Sequence, residues 1–239
     1  MAENAAPRPW EVDGEEKRRR VRRMFADISP TYDLLNSAMS LRLHHRWRTD
    51  AVEGLRLLAG DVGADLCCGT GDFGRPLRDA VSPSGRIVGV DFCMPMLQIA
   101  LKKPYAMGLS LGDAGAVPLR SSSFDAVTVG WGLRNVPDMG AALSEIVRIL
   151  KPGGRFVCVD MARPKSALLR GLSHFVFNMA VPAMGSLFGK REAYTYLPKS
   201  TDRFTTREGL AEAMRGAGLK NVRYEDRFFG NICTHWGEK

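Results

Sequence analysis

The chain has 239 residues, 45% hydrophobic and 25% charged, with a formal net charge of +8. That length allows one domain of ordinary size with an elaboration, and the composition excludes a disordered or collagen-like chain. The positive balance favours anionic surfaces without fixing a fold, and five cysteines with no C-x-x-C pair argue against a disulfide framework and for a reducing compartment.

Residues 1–14 carry Pro7 and Pro9 and no periodic pattern, so they read as a flexible arm without the apolar core of a secretory signal. Residues 15–28 read as a helix with Val21, Met24, Phe25 and Ile28 on one face. Its basic cluster, Lys17 to Arg20 with Arg22 and Arg23, is either a solvated face or a contact for anionic lipid. No nucleic-acid-binding module accompanies it. Pro30 interrupts this helix, and Thr31 can cap the next segment. Residues 41–58 read as an amphipathic helix with the stripe Leu43, Trp47, Ala51, Leu55 and Leu58. His44 and His45 are adjacent, so they should point to different faces. They read as structural, and no metal is expected.

The stretch from Asp65 to Gly74, DLCCGTGDFG, organises the rest. It follows an apolar strand (62–66) and precedes a helix (76–81). Strand, glycine turn and helix open a nucleotide-binding unit, in which glycine lets the backbone approach a ligand. Gly69, Gly71 and Gly74 fit G-x-G-x-x-G, and Asp91 follows at the spacing of a ribose-binding acid, which suits a dinucleotide. Asp65 and Asp72 flank the glycines with negative charge, which suits a cationic methionine moiety better than a pyrophosphate.

A second strand (85–91) ends in Asp91, a third (109–114) carries Asp113, and a fourth (124–130) ends at Gly130. Carboxylates at such ends sit at the ligand crevice of an open α/β sheet. Asp91 can accept from ribose hydroxyls and Asp113 from an adenine amino group. Helices are expected over 92–102 and 141–150. Lys151-Pro152-Gly153-Gly154 then turns into a fifth strand, 155–160. The alternation implies a parallel, doubly wound sheet. Residues 165–191 are rich in Leu, Phe and Met with basic ends. Within them, 168–188 is apolar but interrupted by Arg170, His174, Asn178 and Pro182, a poor membrane span. Thr205 to Glu208 resembles a capping box for a helix ending at Gly218. Residues 222–229 and 230–235 read as a closing antiparallel hairpin.

Together these marks resemble the class I S-adenosylmethionine-dependent methyltransferases, and within them the ubiquinone/menaquinone biosynthesis C-methyltransferases. The segments are Asp65 to Asp72 at the turn, Gly132-Leu133-Arg134-Asn135-Val136, Tyr32 to Asn36 (YDLLN), and Tyr194 to Leu197 (YTYL). Lys151 to Arg155 is shared more widely among methyltransferases. The resemblance runs from about Val21 to the C-terminus.

It implies a Rossmann-like α/β fold: a doubly wound, mostly parallel seven-stranded sheet with the last strand antiparallel, under an N-terminal helical lid. One domain, 15–239, would comprise that lid (15–58), a cofactor-binding core (62–160), a substrate-groove insertion (163–200), and a C-terminal helix and hairpin (201–239). The implied cofactor is S-adenosylmethionine, bound by Asp65, Gly69, Thr70, Gly71, Asp91, Phe92, Asp113, Ala114 and Gly130. Relatives often carry Ser at the position of Gly130. The implied reaction is methylation of a ring carbon of a prenylated quinol, demethylmenaquinol most nearly. Arg134 would steady a phenolate, Asn135 would bond a quinol oxygen, and Tyr32 and Asp33 would complete the site from the lid. Asp33 is a candidate proton acceptor if buried.

The expected partners are the prenylated quinol, an anionic membrane touched peripherally by a cytoplasmic protein, and a second copy in a homodimer. Nucleic acid is not among them. Open alternatives are another quinol or small aromatic lipid as acceptor, an NAD-dependent oxidoreductase, and a non-catalytic module that only holds the cofactor.

Overall fold

The computed structural model of the chain describes residues 8–180, 186 and 191–239. Three helices come first: α1 (Gly14–Ile28), α2 (Tyr32–Met39) and α3 (Leu43–Glu53). The core follows as β1 (Val62–Leu66), α4 (Gly74–Val81), β2 (Arg86–Asp91), α5 (Met94–Ala100), β3 (Gly108–Leu111), β4 (Phe124–Gly130), α6 (Met139–Ile149) and β5 (Leu150–Met161). Then come α7 (Ala167–Phe175), α8 (Arg191–Arg203), α9 (Arg207–Gly216), β6 (Lys220–Arg227) and β7 (Ile232–Glu238).

The seven strands lie in the order β3-β2-β1-β4-β5-β7-β6. The first five are mutually parallel, and β7 is antiparallel to both β5 and β6. This is the expected doubly wound sheet with an antiparallel last strand. The strand order reverses between β1 and β4, and a sheet of this kind binds ligands beyond the C-terminal ends of the strands at that point. Both strands are almost wholly buried because they are short apolar runs covered on two faces.

On one face, Leu143 and Ile146 of α6 and Leu210 and Met214 of α9 pack on Leu66, Val129 and Phe156. On the other, Trp47, Ala51 and Leu55 join Leu77 and Val81 of α4 against Val157, Val159 and Trp236. Asp138 caps α6 by accepting from the Ala141 N–H at 3.0 Å, and Thr206 caps α9 by accepting from the Gly209 N–H at 3.0 Å.

Several boundaries differ from the sequence expectation. The helix expected over 41–58 stops at Glu53, and Leu58 is 71% exposed. The cause is Trp236 of β7. Its indole N–H donates to the Ala51 carbonyl at 3.0 Å, and its ring covers Gly54, where a Cβ would come within 2.3 Å of Nε1. The helix ends beneath that ring. Pro30, read as interrupting the first helix, sits in a helical turn (Ser29–Thr31) that leads straight into α2. Eight residues are too few for periodicity to be distinctive. The arm is packed where it is described, with Trp10 against Tyr196 at 6.5 Å between centroids. Strand β5 begins at Leu150, before the Lys-Pro-Gly-Gly turn, and its pairing with β4 shifts register between Phe124 and Ala126.

Trp236 is thus the clamp between the last strand and α3. Replacing Trp236 by Ala should cost about 3–5 kcal/mol of stability, read as a lowered denaturation midpoint at unchanged slope; a loss under 1 kcal/mol would contradict this assignment.

Candidate active site

At the C-terminal end of β1 the chain turns through left-handed conformations at Cys67 (φ 54°), Gly69 (φ 54°) and Gly71 (φ 83°). Nothing lies within 4 Å of where a Cβ of Gly69 would sit, so backbone and open space face each other there. Trp131, just past β4, is also left-handed at φ 54°. Non-glycine residues hold this conformation only where their surroundings impose it.

Asp91 ends β2, as expected. Its Oδ2 accepts from the Gly69 N–H and its Oδ1 from the Cys93 N–H, both at 2.8 Å. Among the described residues no cation pairs with it, and burial pushes its carboxyl up to about 6. Each oxygen keeps a lone pair for a hydroxyl donor. Phe92, Met96, Asp113, Ala114, Gly130 and Asn135 line the same crevice. Gly130 has to be glycine here: a Cβ would stand 2.5 Å from the Phe73 ring. An open cradle beside Gly69, a buried carboxylate without a cation, and an apolar edge at Phe92 and Ala114 fit S-adenosylmethionine; of these, Asp91 would accept from ribose hydroxyls and Asp113 and Ala114 would lie beside the base.

Other expected cofactor residues stand one step back. Asp65 is buried beneath the turn, where its Oδ1 accepts from the Thr128 hydroxyl at 2.8 Å and burial raises its carboxyl to about 7. The Thr70 hydroxyl donates to Asp33 Oδ1 at 2.6 Å. Asp33 in turn pairs with Lys103 at 2.7 Å, so it ties α2 to the glycine turn. It lines neither the crevice nor the cavity described next, and the role of proton acceptor does not fit it.

The charge assigned to Asp72 is also corrected. Lys103 at 3.0 Å and Arg48 at 3.5 Å neutralise it. Burial pushes its carboxyl up, but these two cations outweigh burial and hold it below the ordinary range. Asp113 Oδ2 likewise meets Arg18 of α1 at 3.0 Å. The basic cluster of α1 is therefore partly spent: Lys17 donates to the Val136 carbonyl at 3.1 Å, and Arg19 and Arg20 pair with Glu16.

A second cavity adjoins the crevice, and Phe25, Tyr32 and Trp131 stand in both walls. Its other walls are Met24 and Ile28 of α1, Met39 of α2, Trp47 and Arg48 of α3, Met161 of β5, and Tyr194, Tyr196 and Leu197 of α8. No α7 residue is among these. The substrate-groove insertion expected over 163–200 reaches this wall through Ala193, Tyr194, Tyr196 and Leu197 of α8, while Leu168, Leu172 and Phe175 face outward; residues 181–185 and 187–190 of that expectation lie outside the described residues.

Arg134 lies in the cavity wall with its side chain 7% exposed. Its Nη1 donates to Asp160 at 2.5 Å and to the Trp131 carbonyl at 2.9 Å. Asn135 does not face the cavity. Its amide donates to the Trp131 carbonyl at 2.9 Å and accepts from the Tyr196 hydroxyl at 3.0 Å, so it positions its neighbours. Burial raises the Tyr32 phenol above its ordinary value, which keeps it neutral.

Sequence reasoning missed Asp160, Arg48, Lys103 and Trp131. Asp160 was findable, because it lies at the end of β5 as Asp91 does at the end of β2. His44 and His45 differ in burial, as neighbours on a helix should, but their rings stack at 3.9 Å between centroids, since side-chain rotation closes the gap between them. With Asp72 they bring ligand atoms within 4.8 Å of one another, yet Asp72 is already taken by the two cations. Burial, then Arg48, lowers the His44 imidazole to about 3, so it is neutral.

The sheet order and the paired crevice and cavity define a Rossmann-like methyltransferase. The fold is shared with a SAM-dependent methyltransferase of Thermotoga maritima (TM-score 0.67, 23% identity, covering 92% of this chain and 99% of that one). It is also shared with one of Aquifex aeolicus (TM-score 0.59, 14% identity, 80% and 88%). Residues 13–239 match the ubiE/COQ5 methyltransferase family, and the chain belongs to that family. A demethylmenaquinone methyltransferase of Geobacillus stearothermophilus is 39% identical over 231 residues, 94% of this chain and 99% of the relative. One of Staphylococcus aureus (strain JH9) is 38% identical over 232 residues, 95% and 96%.

The Asp91 carboxylate sets an expected pH dependence. Its proton must be absent for it to accept fully from ribose hydroxyls. Affinity for S-adenosylhomocysteine should therefore be flat above pH 7 and weaken as pH falls below about 6. Calorimetry on Asp91→Asn should find weaker binding at pH 7.5 with that dependence gone; an unchanged profile would contradict the placement.

Proposed function

We propose that this enzyme transfers a methyl group from S-adenosylmethionine to a ring carbon of a prenylated quinol, converting demethylmenaquinol to menaquinol. The enzyme is an S-adenosylmethionine-dependent methyltransferase, and family membership leaves the oxidoreductase alternative without support. The relatives named above carry the substrate assignment. The observation that supports it most is a buried guanidinium in an aromatic, apolar cavity that shares a wall with the cofactor crevice.

When bound, the cofactor supplies an electrophilic methyl on a sulfonium. The chain must present an electron-rich carbon to it and exclude competing water. Arg134 is protonated at every accessible pH, so it cannot be the base. In a cavity of low polarity its charge acidifies the adjacent hydroxyl and holds the oxyanion that pushes density onto the ring. Asp160 fixes the guanidinium in place. The hydroxyl proton passes to water, the C–H proton is lost after transfer to restore aromaticity, and the oxygen takes one proton back, so each turnover releases one proton to solvent. Trp131 and Tyr32, common to both walls, set the approach of ring to methyl, for which about 3–3.5 Å is a productive separation before reaction.

The prenyl tail needs apolar surroundings at the cavity mouth. None of the helices among the described residues is long and apolar enough to cross a membrane. Helix α7 buries none of its residues. With the turn that follows, it exposes Leu168, Leu172, Phe175, Val176 and Met179 at helical spacing. Residues 162–180 contain Arg163, Lys165 and Arg170 and no acid. This combination suits peripheral attachment to anionic lipid, close to where the substrate resides.

Two tests follow. Arg134→Met should lower kcat about 100- to 1,000-fold and leave S-adenosylhomocysteine affinity unchanged; an unaltered kcat would refute the assignment of Arg134. Sedimentation with vesicles should require anionic lipid and weaken with salt, and Leu172→Glu should abolish it. Binding indifferent to lipid charge would count against attachment through this face.

A further inference from the structure

The cavity holds a second buried cation that the reaction just described does not use. Arg48 of α3 lines the same cavity as Arg134, its side chain 8% exposed. Its guanidinium lies over the Trp131 ring, 4.6 Å from the centroid, while Arg134 grips the carbonyl of that same residue. Its terminal nitrogens are occupied by the His44 carbonyl at 3.1 Å, by His44 Nδ1, and by Asp72.

Among the described residues, Arg48 Nε, Arg134 Nε and the Tyr194 hydroxyl are all buried without a hydrogen-bond partner. All three residues line this one cavity and are more than nine-tenths buried. A buried donor left unpaired is costly, so three in one cavity point to a ligand that brings acceptor oxygens. Tyr194 packs with Leu35 and Met39 of α2, and Tyr196, bonded to Asn135, lines the same cavity.

We propose that Arg48, with Tyr194, binds the second oxygen of the acceptor ring, the one remote from the carbon that is methylated. The site then recognises a ring bearing oxygens on opposite sides, one at Arg134 and one at Arg48, and discriminates against aromatics with a single hydroxyl. This rests on the quinol reading above and adds the residue that selects for a 1,4-dioxygenated ring. The selection arises because a substrate lacking the second oxygen leaves the Arg48 and Tyr194 donors unpaired. Asp72 has a supporting part, since it holds Arg48 in place and balances its charge, and Lys103 fixes Asp72 in turn.

The test compares two acceptors, 2-prenyl-1,4-naphthoquinol and 3-prenyl-1-naphthol, which lacks only the remote hydroxyl. Wild type should prefer the quinol in kcat/KM by about 100-fold or more. Arg48→Met should reduce transfer to the quinol and leave transfer to the naphthol nearly unaltered, so that the preference collapses to a few-fold. Affinity for S-adenosylhomocysteine, measured alongside, should not change. An equal fall on both acceptors means that Arg48 only shapes the lid, and overturns the proposal. If Arg48→Met fails to bind S-adenosylhomocysteine, Tyr194→Phe decides, because it removes a hydroxyl that no described residue engages: selective loss on the quinol supports the proposal, and equal loss or none refutes it. If wild type transfers nothing to the quinol, the functional reading itself has failed, which is a different result from an unchanged preference.

Discussion

The buried pair between Arg134 and Asp160 is the constraint on which the site depends. Asp160 is the penultimate residue of β5, and Arg134 sits in the short turn after β4, so one ion pair fastens the loop beyond one central strand to the end of its neighbour. Removing two charges from water is costly unless the remaining groups are also bonded. Here the Asp160 carboxylate accepts further from the Met161 N–H at 2.8 Å, and the guanidinium donates to Trp131. The arrangement keeps a permanent cation facing an apolar cavity. That is the environment in which such a charge acts most strongly on an incoming hydroxyl, because little water screens it.

The charges elsewhere in the site are divided with the same economy. Asp65 and Asp91, under and beside the cofactor crevice, have no cation partner among the described residues, and burial raises both. Asp72, three residues past Gly69, is matched by Lys103 and Arg48. One acid of the glycine turn thus belongs to the acceptor side, where it fixes a guanidinium, and the other belongs to the donor side.

The two sides are joined by elements from both ends of the chain. Helix α1 closes over Asp113 through Arg18, α2 is tied to the glycine turn through Asp33 and Thr70, and α3 is clamped by Trp236 of the last strand. The cover of the active site is therefore part of the folded core. Of its parts α3 is the most firmly held, because it is packed against β5 and β7.

The architecture was legible from local pattern: apolar runs bounded by glycine and acids, and helices with a single apolar face. That Gly69, Asp91, Asp113 and Gly130 share one crevice was legible too, because each lies at or just past a strand end, and strand ends are visible in sequence. The acceptor cavity was not. Arg48 looks like a polar residue beside the apolar stripe of an amphipathic helix, and Asp33 looks like a free acid on a lid. Whether each faces ligand or a protein partner depends on Trp131, Lys103 and Asp72, which are distant in sequence. The sequence by itself determined the sheet, the turn and the carboxylate that ends β2, since these arise within a strand and its flanking residues. Only the tertiary structure decided which cations are spent on neighbours and which keep an unpaired N–H, because that depends on contacts between elements as much as 119 residues apart.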